Sequence, residues 1–278
     1  MDNPTISDSR TRSVLSKGYH ACCLVTRDLA AFEAVVCEEI ARYPHFRRFF
    51  SHLVSARLRQ TNVLSSPLLA SVFNGISAIE GRLAQIQTVE GIGQLPIEYQ
   101  PARDSDKGSR TDEAALDCLA EVLVLFFLTI KGATEITKVV SDPNTPHIDI
   151  RARMQSRQHA IEITRKKEVT EWMTLAFESL TDCTSGENQR NMRDVISRIL
   201  AFKSDQFSRC LTAGSLPADD IRVIAIKLSD FGFQDCIEEA CLLTRSLLSR
   251  GQFDIIEVVW LIPDVEVEDS CWIDRAAG

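Results

Sequence analysis

Two neighbouring stretches, residues 148–154 and 158–164, alternate apolar and polar positions one by one. In the first, Ile148, Ile150, Ala152 and Met154 alternate with Asp149, Arg151 and Arg153; in the second, Ile161 and Ile163 alternate with Ala160, Glu162 and Thr164. A period of two predicts strands, and Gln155 and Ser156 between them predict a two-residue hairpin turn. In that register Asp149 lies opposite Glu162 and His147 opposite Thr164, so both carboxylates share one face. Two acids at strand spacing repel unless a cation lies between them or one keeps its proton.

Elsewhere the apolar period is mostly helical. Helices are expected over 12–42, over 45–60, and from the Ser65, Ser66, Pro67 start through Ile86. Glycines and prolines between 91 and 110 read as a linker. Beyond it the pattern predicts a buried helix over 111–130, a strand over 134–140, the hairpin, helices near Trp172 and over 188–211, a strand over 221–228, a helix over 234–249 and a strand over 255–262. The expected organisation is a disordered start (1–11), a helical region (12–90), the linker (91–110), an α/β domain (111–263) and an acidic tail (264–278).

Composition adds exclusions. With 278 residues, 45% hydrophobic and 25% charged, the chain can bury a core. The longest apolar run, residues 122–130 apart from Thr129, is too short to span a bilayer, and the N-terminus lacks a basic start followed by an apolar stretch; a cytoplasmic protein without membrane partners is expected. Nine cysteines without Cys-x-x-Cys spacing suit reduced core thiols better than zinc or disulfides. A net charge of −8 argues against indiscriminate nucleic-acid coating. Locally, however, Arg151, Arg153, Arg157, Arg165, Lys166 and Lys167 stand against the single acid Glu162, which suits phosphate contact or a solvated arginine-rich strand face.

The run Pro146-His147-Ile148-Asp149 followed by Glu162-Ile163-Thr164 resembles the PD-(D/E)XK nuclease superfamily, in which an aspartate after a proline-containing turn precedes Glu-x-Lys on the next strand. The phrase from Ile161 to Arg165 is similar to a branch of that superfamily carrying Glu-Val-Thr. Two residues separate proline from aspartate here, and Thr164 stands where the family has lysine. The resemblance covers about 150 C-terminal residues, through the order of elements. It implies a restriction-endonuclease-like fold, a central mixed sheet flanked by helices, for that part; the all-helical N-terminal region before it is read from helical periodicity alone.

The resemblance also implies Mg²⁺ or Mn²⁺ held by Asp149, Glu162 and the carbonyl of Ile163, with DNA as substrate and RNA second. Arg151, Arg153, Arg165, Lys166 and Lys167 would contact the nucleic acid. The missing lysine could be supplied by Lys203, with Gln206 one turn on, ahead of Lys166 and then Lys131. Glu121, or else Glu113, would complete the site from the preceding helix, and Thr164 offers a hydroxyl without charge. The bland alternative is a structural pairing of the two acids with Arg151, Arg153 or Arg165.

Two other functions compete with the nuclease. Arg47 and His52 resemble the Arg-x4-His signature of HEPN ribonucleases, which cleave RNA without metal. Loss of the family lysine also fits a nuclease-fold domain that no longer cleaves and serves as a nucleic-acid-binding or protein-interaction module. The N-terminal helices offer a surface for a protein partner or self-association.

Overall fold

A computed structural model describes residues 41–48, 76–94, 108–139, 145–164, 186–228, 233, 235–263 and 270–275. The chain divides into two compact units, one comprising Met1–Gln87 and Gly93–Leu119, the other Thr88–Ile92 and Ala120–Gly278. In the first, a helical turn over 44–48 is held by Glu80, whose carboxylate accepts the amide N–H of His45 at 3.1 Å and of Phe46 at 2.7 Å. Orphan amides at a helix start need such an acceptor. Glu80 belongs to α1 (Ile76–Gln85), whose Ile79 and Leu83 are buried, as the apolar spacing predicts.

The second unit carries a mixed α/β architecture. In chain order come α2 (Gly108–Ile130, its first residues in the other unit), β1 (Thr134–Lys138), β2 (Ile150–Met154), β3 (Arg157–Ile163), α3 (Gly186–Thr212), β4 (Ile221–Lys227), α4 (Ile237–Leu248), β5 (Val258–Ile262) and β6 (Cys271–Asp274). Six strands form one sheet in sequential order. The β1–β2, β2–β3 and β5–β6 pairs are antiparallel, while β3–β4 and β4–β5 are parallel and need the helical crossovers α3 and α4.

The hairpin register is the expected one. Ile150 pairs with Ile161 and Met154 with Arg157, leaving a two-residue turn at Gln155 and Ser156. Both turn residues take the left-handed conformation (φ 49° and 67°), the twist a tight hairpin requires, though glycine or asparagine would adopt it at lower cost. Gly91 is required for a different reason. At φ 79° it lies against the β1 backbone, and a Cβ there would come 2.2 Å from the carbonyl oxygen of Lys138.

Strand alternation sorts the sheet into two faces. Ala160, Ile224, Ile226, Val259 and Leu261 join one core with Ile196, Ile199, Leu200 and Phe207 of α3 and Ala240 and Leu247 of α4. On the other face Phe127 of α2 packs against Trp260 of β5 with the rings tilted by 42°, centroids 4.2 Å apart. The strand β6 falls in the stretch read as an acidic tail; Trp272 pairs with Trp260 and Ile273 with Val259. Likewise α2 begins at Gly108, inside the stretch read as linker. Among the described cysteines 118, 210, 241 and 271 are free thiols, whereas Cys236 is disulfide-bonded, against the expectation of reduced thiols. No described helix is long and apolar enough to cross a membrane.

Candidate active site

Asp149 sits immediately before β2 and Glu162 near the end of β3, and both are almost fully buried, at 4% and 0% exposure. With Ile150 opposite Ile161, the next step outward sets Asp149 against Glu162. The ladder changes character at this point. The amide of Thr164 donates to Ala225 of β4 at 2.9 Å, so the N–H and C=O of Ile163 both face β2. There the Ile163 amide donates not to a backbone carbonyl but to Asp149 Oδ2, at 2.8 Å. The aspartate carboxylate is thus inserted between the strands, on the side to which the Ile163 carbonyl also points.

Lys203 arrives from α3. Its ammonium lies 3.1 Å from Glu162 Oε2 and donates to Gln206 Oε1 at 3.2 Å, and Gln206 in turn donates to the carbonyl of His147 at 3.4 Å. The lysine is 1% exposed, on the buried stripe that runs through Ile199, Leu200, Phe207 and Cys210. A charged residue at an apolar stripe position gives up its hydration and must recover that cost from a partner, here 41 positions away in sequence. Nearby Thr164, on the Glu162 face, is 2% exposed, and its hydroxyl has no hydrogen-bond partner among the described residues. Burial, then the charges of Glu162 and, less, of Asp149, push the Cys210 thiol up from its ordinary value; the cysteine therefore senses both carboxylates from α3.

Glu121 is buried as well, but its partner is Lys138, at 3.2 Å. Lys138 pairs with Ile150, which pairs with Ile161, so its side chain belongs to the face opposite Glu162. The structure therefore sets Glu121 in a second buried ion pair, across the sheet from Glu162 and Lys203. Lys131 lies over the ring of Phe127, 5.2 Å from its centroid. The side chain of Glu113, and all of Arg165, Lys166 and Lys167, fall outside the described residues, as does His52.

The two described arginines of the expected nucleic-acid face have intramolecular partners. Arg151 bonds Asp220 at 2.5 Å, half-buried against a buried carboxylate, and Arg153 meets Glu135 at 2.9 Å with both side chains exposed. His147 is tied to its own loop, its Nδ1 donating to Thr145 O at 3.0 Å. No cluster of three or more His, Cys, Asp or Glu side chains able to hold a metal occurs among the described residues, so a cation at Asp149 and Glu162 would need backbone, water or substrate oxygens as well.

Two features escaped the sequence reading. Asp220, which holds Arg151, and Lys138, which holds Glu121, are buried charges that no motif marks; their only sequence signal is a charged residue beside or within a β-branched run. Comparison of the chain with family models, with curated proteins and with solved structures returned no match.

Proposed function

We propose that the second unit is a metal-dependent nuclease of the PD-(D/E)XK type, with a restriction-endonuclease-like core, acting on DNA phosphodiesters through a lysine relocated to α3. The observation that carries this reading is the burial of Lys203 against Glu162, next to Asp149 and at the end of the β2–β3 ladder. Three ionisable side chains on core-facing positions cost stability in an otherwise apolar layer, and such arrangements cluster at functional sites. The order helix, three strands, helix, strand, helix, strand supports it further.

The donor set fits a hard divalent cation: Asp149, Glu162 and the Ile163 carbonyl are all oxygen ligands, as Mg²⁺ or Mn²⁺ prefers, with water and phosphate filling the remaining positions. When bound, the ion supplies Lewis-acid polarisation of water and of the scissile phosphate. Asp149 is oriented for that role by the Ile163 amide. Lys203, fixed between Glu162 and Gln206, holds the attacking water in line and offsets charge gathering on the phosphate oxygens. The water oxygen forms the new P–O bond as the bond to the leaving oxygen breaks; the water loses a proton to solvent and the leaving oxygen gains one. Thr164 takes the family lysine's place in sequence and offers a hydroxyl without charge.

The test is cleavage of single- and double-stranded DNA, and of RNA, in Mg²⁺ or Mn²⁺ by the wild type, Asp149→Asn and Lys203→Met. Cleavage by the wild type alone supports the reading; equal behaviour of wild type and Asp149→Asn overturns it. A second reading, a nuclease-fold module that binds nucleic acid or protein without cleaving, is favoured by Thr164 at the lysine position and by the prior engagement of Arg151 and Arg153. Binding without cleavage in the same experiment would select it.

A further inference from the structure

On the face of the sheet away from Glu162, a cavity of about 630 Å³ opens where α2 ends and β3, β4 and β5 begin. Its size is that of small-molecule sites. Phe127, Trp260 and Trp272 line it with His159; Trp260 and Trp272 have ring centroids 5.6 Å apart, and His159 meets Trp272 edge-on at 6.2 Å. Trp272 is 38% exposed, so part of its ring surface is open to a ligand in the cavity.

Polar groups with defined roles interrupt this aromatic wall. His159 Nδ1 lies 3.0 Å from Arg157 O; a carbonyl only accepts, so Nδ1 carries the hydrogen. Burial holds the imidazole below its ordinary pKa, hence neutral at pH 7, and Nε2 is an acceptor. At the rim stand Lys131 and Arg157, both exposed, while Glu257 is bound to Arg222 at 3.1 Å and Arg275 to Asp254 at 3.1 Å.

We infer that this cavity is a binding site for a nucleobase-type ligand carrying a phosphate: a flat heteroaromatic ring stacked on the exposed face of Trp272 and donating to His159, with its phosphate on Lys131 and Arg157. Neither an aliphatic ligand nor a bare anion would use all of these features. Rings stack on aromatic side chains whatever the base, so the site selects a chemical class rather than one base. The ligand is either a free nucleotide or a nucleotide at the end of a single strand. The site is independent of the acid pair, lying on the other face and at the opposite ends of the parallel strands.

Calorimetric titration of the full chain with the four nucleoside monophosphates, the matching nucleosides and a short single-stranded oligonucleotide tests the assignment. Saturable binding of the monophosphates is expected, with the nucleosides about ten-fold weaker. Trp272→Ala should weaken both by about ten-fold and Trp272→Phe should retain most of the affinity. Arg157→Ala should bring nucleotide and nucleoside together. Circular dichroism verifies that each variant folds, and the more conservative Trp272→Phe keeps the test open should Trp272→Ala fail. An oligonucleotide that outcompetes the monophosphates identifies nucleic acid as the source; the reverse order identifies free nucleotide. Absence of saturable heat up to low millimolar concentrations, or affinities untouched by both Trp272→Ala and Arg157→Ala, would overturn the proposal.

Discussion

The two faces of the sheet each bury a glutamate against a lysine at almost the same distance, 3.1 Å for Glu162 and Lys203 and 3.2 Å for Glu121 and Lys138, yet the surroundings differ. Around Glu162 the backbone ladder has given way to a second carboxylate, and the lysine is shared with an amide side chain. Glu121 meets a lysine on the edge strand β1, whose backbone amide donates to the carbonyl of Glu90 at 2.8 Å. A buried ion pair is weak evidence for either stability or function. The teaching of the comparison is that function is argued from what adjoins a pair, and here one face adds acids while the other adds aromatic rings.

The largest expected effect falls on the acid face. Asp149→Asn should lower cleavage at least about 100-fold while leaving the fold intact, because the proposed metal site loses a charged ligand while the Ile163 amide still finds an oxygen acceptor. Glu121→Gln should leave cleavage within a few-fold of wild type, as measured by initial rates at saturating Mg²⁺. Equal losses in the two variants would erase the distinction between the faces.

Next comes stability. Lys203→Met and Lys138→Met should each cost about 3–5 kcal/mol in urea unfolding, since each strands a buried carboxylate. The faces separate when Mg²⁺ is added. A cation held at Asp149 and Glu162 stabilises by about 2.7 kcal/mol at one hundred times its dissociation constant, so Mg²⁺ should rescue Lys203→Met and not Lys138→Met. Rescue of both, or of neither, would count against a metal at the acid pair.

The aromatic face should respond to pH instead. Burial lowers the His159 pKa in the folded state, so between 6.5 and that lower value the unfolded chain binds more protons and stability falls as pH drops. Above pH 6.5 the contribution is fully present. Its limiting slope is about 1.4 kcal/mol per pH unit. His159→Gln should flatten that part of the profile, followed by thermal unfolding between pH 7.5 and 5; an unchanged slope would assign the acid lability to other groups.

The smallest effect concerns the rim of the hairpin. Arg153→Ala breaks an ion pair exposed on both sides, so its stability should stay within about 0.5 kcal/mol of wild type. If Arg153 exchanges Glu135 for a phosphate when DNA binds, the same variant should reduce the salt dependence of binding by roughly one charge.

Much of the acid site was legible because it is local. Period-two alternation and a two-residue turn fix which residues oppose one another, and a single slipped residue would have sent Asp149 and Glu162 to opposite faces. Lys203 was legible in part: a lysine on an apolar helical stripe stands out, but helical periodicity says nothing about which strand the stripe will cover. Glu121 gave the same signal and had been expected at the same site. The strand β6 was missed because its four residues alternate Cys, Trp, Ile and Asp inside an acidic stretch, too short a run to announce itself.

By itself the sequence determined the hairpin, its register and the shared side of two carboxylates, since all three follow from neighbours along the chain and the geometry of an extended backbone. Only the tertiary structure decided that Lys203 meets Glu162, that Glu121 turns instead to Lys138, and that Phe127, His159, Trp260 and Trp272 enclose one cavity. Those choices depend on which face of the sheet each helix covers and on the order in which distant strands pair. Such long-range packing leaves no periodic trace in the sequence.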